Sequence, residues 1–493
     1  MKIHMEPSME RLRQLSGQYA YLPLFTSLYV DTETPITVFK RFEEDSPNCF
    51  LLESAEGGER WGRYSFLASN PLAIVRTEKG RTQARFRDGS TLDLGPDPFE
   101  ALKSFMARFT SPTLPELPRF YGGAVGFMSH DLVRYVEYLP NVPHDDLNTP
   151  DLQMMVADEV LIFDHVKQRL TLVVCFPSQE PLEEAYAQAA QRLQRLYDKA
   201  FAPVPSESPR NSAPQSHEMT CNVTKERYLE SVKIAKKHII DGDIFQVQIS
   251  QRFSMEAPLS ALNVYRRLRL TNPSPYMFYI KFEDMTLIGA SPELLLRCDD
   301  GKLTTCPLAG TRRRGRTDKE DAELEQELLT DEKEKSEHMM LVDLGRNDLG
   351  RVSEFGSVQV EQLMEVVRFS RVMHLSSTVT GRLREGLHPL DALAAVFPAG
   401  TLTGAPKVRA MEIIDVLEPN RRGPYGGAIG YLSFDGHFDS CITIRTVLIK
   451  DGRAYVQAAA GIVADSDPEK EYKECQNKAR AVLEAIREAG NVQ

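Results

Sequence analysis

The chain has 493 residues, 42% of them hydrophobic and 26% charged, with a formal net charge of −11 at pH 7. That length allows two or three domains or one large two-layer domain. The acidic balance argues against nucleic acid as the main partner and obliges any anion site to draw on a cation or on Arg and Lys inside a pocket.

No run of 18 apolar residues occurs, so no membrane span is expected. The opening MKIHMEPSMERLRQL lacks the apolar segment of a secretory signal. Seven cysteines without a CxxC pair read as reduced thiols of a cytoplasmic protein. Residues 152–176 read as two strands around a turn at Asp164–Lys167, followed by a helix over 181–199. The Pro/Ser-rich stretch 203–217 reads as a loop or linker dividing the chain into an N-terminal region, 1–202, and a second region, 218–493. A helix over 224–240 opens on Thr224 as N-cap and closes at Asp241-Gly242. Asp-Gly pairs at 300–301, 435–436 and 451–452, each between apolar runs, predict hairpins and hence antiparallel sheet. The closing helix takes Asp467 as N-cap and Pro468 in its first turn. Strands and helices come in groups without βαβ alternation, so the predicted class is α+β.

Two Glu-x-x-Glu pairs carry the chemistry: Glu334 with Glu337, and Glu471 with Glu474. Residues three apart share a helix face. Two such faces opposed make an all-oxygen site for a hard divalent cation, and Mg²⁺ fits because it leaves room for water and an anionic substrate. Such pairs are also common on solvated helix faces. The loop FPAGTLTGAPKVRAM (397–411), without P-loop spacing, reads on its own first as a tight structural turn; the alternative is that it presents hydroxyls and N–H groups to an anion at a helix N-terminus. The glycines of GPYGGAIGY (423–431) allow close backbone approach to a ligand, and Arg445, expected on the next strand, is a natural carboxylate partner.

These blocks stand in series with IFQVQISQRF, NPSPYMFYI, GASPELLLR, PLAGTRRRGR, RVMHLSSTVTG and AAGIVADSDPEKEYKEC. The series resembles the chorismate-utilising enzymes and, within them, anthranilate synthase component I. The resemblance implies two packed antiparallel β-sheets with surrounding helices and an active site in a cleft. It implies chorismate as substrate and Mg²⁺ held by Glu337 and Glu474, with Glu334 and Glu471 behind them. It implies Glu293 as the general acid that protonates the departing C4 hydroxyl, with a pKa raised by burial. His374 matches the histidine of pyruvate elimination. Thr401 and the Gly461 backbone match groups that hold the ring end, and Tyr425 and Arg445 match those on the enolpyruvyl carboxylate. Lys478 shares a helix face with Glu474 and offsets the local acids. Family members that add water carry a lysine at the position of Gln246, and 4-amino-4-deoxychorismate synthases one at that of Ala309. With neither present, ammonia is the nucleophile implied, and the product anthranilate, reached through 2-amino-2-deoxyisochorismate.

The block LLES matches the family's tryptophan pocket, placing a feedback-inhibitor site at Glu53, Ser54, Pro275, Tyr276, Met277 and Tyr431, with Asn272 on the same wall and Glu53 receiving the ligand ammonium. The chain shows no glutaminase nucleophile. The resemblance therefore implies a separate glutamine amidotransferase subunit, component II, in a heterotetramer serving the first step of tryptophan biosynthesis. Ala459 stands at a usual family glycine. The competing functional classes are a catalytically idle amino-acid sensor of the same fold, a cation-binding structural protein, and the isochorismate or 4-amino-4-deoxychorismate branches.

Overall fold

The structure, a computed structural model, describes residues 4–54, 62–179, 181–204, 218–369 and 372–489. Its strands form two antiparallel sheets, each 12-stranded among the described residues. The first runs from Tyr21–Tyr29 through Arg169–Pro177, Glu159–Asp164, Tyr64–Ser69 and Cys49–Glu53 to Tyr276–Lys281, Met285–Ser291, Thr446–Lys450, Arg453–Ile462 and Gln246–Glu256. The second runs from Leu308–Arg313 through Val372–Arg382, Lys302–Thr305, Leu294–Asp299, Phe438–Ile442 and Ala428–Ser433 to Gly123–Met128, Leu152–Ala157, Ala73–Glu78, Arg81–Phe86 and Thr91–Gly95. Both sheets therefore join the regions before and after 203–217. The joins are Leu51↔Tyr279 and Glu53↔Met277 in one, and Val125↔Tyr431 in the other. Most of the dividing stretch itself, 205–217, lies outside the described residues.

The alternation of strand side chains builds the layers. Phe50, Phe278 and Ile280 point from the first sheet into a core shared with Val125, Phe127, Met154 and Val156 of the second. Leu51, Tyr279 and Ile288 point the other way, against the helices Pro35–Glu43, Leu182–Ala200, Ala261–Thr271 and Pro468–Glu488. Each such large side chain contributes about 1.5–3 kcal/mol on burial. Helices Lys225–Ile240 and Lys407–Leu417 cover the far end of the first sheet.

The turns and caps agree with the sequence. Asp300 and Gly301, and Asp451 and Gly452, all have positive φ, as a two-residue hairpin turn of this type needs. Thr224 and Asp467 cap their helices by accepting from Arg227 N–H and Lys470 N–H. Residues 152–176 differ from expectation: they form three strands, Leu152–Ala157, Glu159–Asp164 and Arg169–Pro177. The run changes sheets at Asp158, a buried carboxylate paired with Arg87 and Arg192. A continuous apolar pattern does not report such a break, because both halves of the run are buried.

Of the other crossings between the sheets, two lie close together. Ser291 ends a strand of the first sheet and Leu294 begins one of the second, with Pro292 and Glu293 between them. Ile442 and Thr446 bracket the return crossing, which holds Arg445.

Candidate active site

One cavity of about 630 Å³ is lined by Glu293, Glu334, Glu337, His374, Thr401, Tyr425, Arg445, Gly461, Glu471, Glu474 and Lys478. Every residue expected to act on or hold the substrate and cation thus lies on one wall or another of a single space. The crossings between sheets bring Glu293 and Arg445 there, and they fasten each other. The Ile442 N–H donates to Glu293 O at 3.1 Å, and the Ala290 N–H donates to Arg445 O at 3.2 Å. Arg445 lies in the bend itself, at φ +52°, and not on a strand as the sequence suggested.

Glu293 is 6% exposed. Burial pushes its carboxyl up to about 8, against the opposing effects of the Thr401 hydroxyl, the Leu308 N–H and the Lys478 charge. The group is thus mainly protonated at neutral pH. Arg445 is half-buried; desolvation holds its pKa below the ordinary value, and its Nη1 donates to Lys478 O at 2.9 Å. A partly desolvated guanidinium lining a cavity is a ready partner for an anion.

His374 Nδ1 lies 2.8 Å from Gly310 O and 3.1 Å from Thr311 Oγ1. A carbonyl only accepts, so Nδ1 carries the hydrogen and Nε2 is left as a free base. Burial lowers the pKa of the ring and favours that neutral form.

The carboxylate pairs sit where their helices begin. Asp331 caps Glu332–Gly350 by accepting from the Lys333 and Glu334 N–H groups. One turn in, Glu337 Oε1 accepts from Gln246 Nε2 at 2.9 Å, and Glu334 Oε1 accepts from Arg312 at 3.1 Å. On the facing helix Glu474 pairs with Lys478 at 2.7 Å, and Lys478 Nζ also donates to Ala459 O at 3.0 Å. Burial raises the pKa of Glu337 and of Glu471, and in each case the neighbouring carboxylate of the pair adds to the rise. Among the described residues no three His, Cys, Asp or Glu side chains converge on one point. The carboxylates of both pairs nevertheless line the same cavity and offer oxygen donors only. That donor set fits Mg²⁺.

The two glycine-bearing loops contribute differently to the cavities. The loop before helix Lys407–Leu417 contributes Thr401 and Leu402 to the cavity, but the first turn of that helix does not line it. No helix N-terminus serves the anion from there. A Cβ on Gly427 or Gly430 would meet Met128 O at 2.0 Å or Asp439 O at 2.1 Å, so both glycines allow close strand packing; Gly430 also lines the second cavity described below. Gly461 is different: a Cβ there would press on the side-chain amides of Gln246 and Gln248, at 2.6 and 2.8 Å. Gln248, Gly310, Thr311 and Asn477 also line the cavity, and sequence reasoning missed them. Gln248 was within reach, since it shares a strand face with Gln246.

A second cavity, about 160 Å³, lies between the sheets and is lined by Glu53, Ser54, Pro275, Tyr276, Met277 and Tyr431, together with Arg119, Arg297 and Asp439. Asn272 lines a separate cavity. The role read for the Glu53 side chain needs correction. Strand alternation turns it to the helix side of the sheet with Leu51, where its carboxylate accepts from Tyr265 Oη at 2.5 Å and pairs with Arg269 at 3.1 Å. Met277, its partner across the ladder, packs on that same side. Both give the cavity backbone. The carboxylate that lines it with charge is Asp439, which accepts from Tyr276 Oη at 2.9 Å and from Arg297 Nε at 2.9 Å.

Two shared sheets thus hold a buried acid at a crossing, and two helices bring their carboxylate pairs to the same cavity. The family model for chorismate binding enzymes matches residues 47–484. The chain therefore belongs to the chorismate binding enzyme family. Anthranilate synthase component 1 from Acetivibrio thermocellus is 52% identical over 491 residues, 99% of each chain. The protein of that name from Aquifex aeolicus is 45% identical over 97% of each chain. Among solved structures, anthranilate synthase component I from Streptococcus pneumoniae superposes with a TM-score of 0.77 at 40% identity, covering 87% of this chain and 95% of that one. The menaquinone-specific isochorismate synthase from Escherichia coli gives 0.69 at 20% identity over 96% and 98%, a likeness of fold alone.

Proposed function

We propose that this chain is the large subunit of an anthranilate synthase, converting chorismate and ammonia to anthranilate and pyruvate with Mg²⁺. The observation that carries the reading is Glu293, a carboxyl kept neutral by burial, in one cavity with Arg445 and two carboxylate pairs. Glu337 and Glu474 would hold the cation, with Glu334 and Glu471 behind them. When bound, Mg²⁺ neutralises the ring carboxylate of the substrate and the acidic wall it faces.

Arg445 and Tyr425 receive the enolpyruvyl carboxylate, and Thr401 and the Gly461 backbone hold the ring end. Glu293 gives its proton to the C4 hydroxyl, which leaves as water while ammonia attacks C2. Neutral ammonia needs no base, in keeping with Gln246 and Ala309 at positions where a lysine would serve other nucleophiles. His374 Nε2 then takes the C2 proton of 2-amino-2-deoxyisochorismate as enolpyruvate departs. Lys478, held by Glu474 and Ala459 O, balances charge beside this step.

Ammonia reaches the cavity from glutamine by way of a separate amidotransferase subunit in a heterotetramer. Tryptophan, the end product, binds the second cavity with its indole against Pro275, Tyr276 and Tyr431, beside Ser54. The setting is the cytoplasm, in keeping with seven free cysteines; among the described residues no helix is long and apolar enough to cross a membrane.

Chromatography of quenched reactions tests the nucleophile. The chain with chorismate, Mg²⁺ and an ammonium salt should yield anthranilate and pyruvate in equal amounts, and glutamine should not replace ammonium. Isochorismate, 4-amino-4-deoxychorismate or unreacted chorismate as the outcome overturns the reading.

A further inference from the structure

The strand Gln246–Glu256, which carries Gln246 and Gln248 into the cavity, has a full neighbour on one side only. On the other side the short strand Gly404–Ala405 pairs with Gln246 and Val247, and the short strand Thr220–Cys221 pairs with Phe253 and Ser254, which leaves the stretch between them without a strand neighbour. The Gln248 N–H then donates to Thr403 O at 2.8 Å. Beyond that point an ion pair takes over the ladder. Arg422 Nη2 donates to Gln248 O at 2.8 Å, and the Ser250 N–H donates to Glu418 Oε1 at 2.8 Å. The two side chains are locked to each other, Arg422 Nε to Glu418 Oε2 at 2.9 Å and Nη2 to Oε1 at 2.7 Å. Both are buried. The remaining nitrogen, Nη1, donates to Leu402 O at 2.6 Å, next to Thr401. The guanidinium also sits 5.9 Å from the centroid of the Tyr425 ring.

One guanidinium thus fixes the carbonyl beside Thr401, the carbonyl of Gln248 and the ring of Tyr425. These belong to three separate segments, and each segment places a side chain in the catalytic cavity, although Arg422 does not line it. We propose that Arg422, braced by Glu418, is a positioning residue that stands in for an edge strand and sets the mutual placement of Thr401, Gln248 and Tyr425. The inference rests on the proposed reaction for its readout. A buried ion pair is weak as a source of stability, because desolvation of both ions offsets their attraction. Its geometric reach is the better reason for it. Only the planar fork of arginine can hold a carboxylate with two donors while serving two carbonyls in other directions. Lysine keeps the charge, so Glu418 is not left alone, but its single ammonium cannot span the same partners.

The test compares wild type, Arg422→Lys and Glu418→Gln for thermal unfolding and for kcat and KM with chorismate, Mg²⁺ and ammonium. Arg422→Lys should remain folded at the assay temperature yet lose about 100-fold in kcat/KM, the cost typical of a misplacement of about 1 Å in a catalytic site. Much of that loss should persist in kcat at saturating substrate. Glu418→Gln keeps an acceptor for the Ser250 N–H but leaves the buried guanidinium without its counter-charge, so it should lower the unfolding temperature as well as kcat/KM. Arg422→Lys kinetics within about twofold of wild type, or a loss that matches only the unfolded fraction, would overturn the inference. Should Arg422→Lys not fold, the neutral double variant Arg422→Gln/Glu418→Gln carries the test, with the same expectation, because its residue-422 side chain is shorter and leaves no buried charge. A wild-type chain that fails to turn over chorismate would instead defeat the proposed reaction.

Discussion

Gln246 donates its side-chain N–H to Glu337 Oε1 at 2.9 Å, across the seam between a strand end and the second turn of a helix. One oxygen of the proposed cation ligand is thus oriented, and the other is left for the ion. The neighbour of Gln246 on the cavity floor is Gly461, where any side chain would press on that amide.

Removing this support should weaken the cation site without removing it. Gln246→Ala should raise the Mg²⁺ concentration needed for half-maximal rate by about 10-fold, the low end of what lost supporting partners cost metal sites. Initial rates over a Mg²⁺ titration give the value. An unchanged half-saturation point would mean that the bond does not orient a ligand.

Glu293 links stability to pH in a direction opposite to that of most carboxylates. Its folded-state pKa, about 8, lies above the value of about 4.3 for an unfolded glutamate. Between those values the native protein holds a proton that the unfolded chain has lost, so stability falls as pH rises through that window. Glu293→Gln should therefore be more stable than wild type above pH 8, with the advantage shrinking toward pH 5. Activity should fall by about 10²–10⁴-fold in that variant. In wild type the ammonia-dependent rate should be bell-shaped: the fraction of free ammonia rises with pH while protonated Glu293 is lost. Denaturant melts at pH 5 and 8.5 decide the stability claim. A Glu293→Gln variant less stable at both pH values would show an ionised carboxylate in the native state.

His374 presents a free Nε2 because Gly310 O claims Nδ1–H. His374→Ala should slow pyruvate loss more than amination, so that 2-amino-2-deoxyisochorismate accumulates in quenched reactions. Equal slowing of both steps would assign the ring to shaping the cavity.

Ser54 is a small residue lining the second cavity. Ser54→Phe should lower tryptophan inhibition severalfold in a titration and leave turnover near wild type, since neither carboxylate pair borders that space. Full sensitivity in the variant would place the inhibitor elsewhere. Tyr276 pairs in register with Ser291, two residues before Glu293. Any coupling between the cavities must be reciprocal: chorismate should weaken tryptophan binding by the factor that tryptophan weakens chorismate binding.

The Glu-x-x-Glu pairs and Arg445 were legible from their own chemistry, whereas Glu293, His374, Thr401 and Tyr425 stood out only through the resemblance of the whole series of blocks to a family. Hairpins and caps were legible for local reasons, since Asp-Gly turns and N-caps depend on a few adjacent residues. What sequence did not show depends on the third dimension. The change of sheet at Asp158 needs Arg87 and Arg192, distant in sequence, to neutralise it. The outward turn of Glu53 is set by strand register, and a shift of one residue would have reversed it. Arg422 reads as one more basic residue in EPNRRGPYGG, and only its four hydrogen bonds mark it out.

The most direct measurement tracks anthranilate fluorescence from chorismate and an ammonium salt while Mg²⁺ is titrated, for wild type, Glu337→Gln and Glu474→Gln. Wild type should gain emission with Mg²⁺. Both variants should lose it at Mg²⁺ levels that saturate wild type, while far-UV circular dichroism stays native, since each exchange keeps the side-chain shape and deletes a charged oxygen ligand. Emission from either variant with the Mg²⁺ dependence of wild type, or no anthranilate from wild type at any Mg²⁺ concentration, would contradict a chorismate-aminating site built on these two helices.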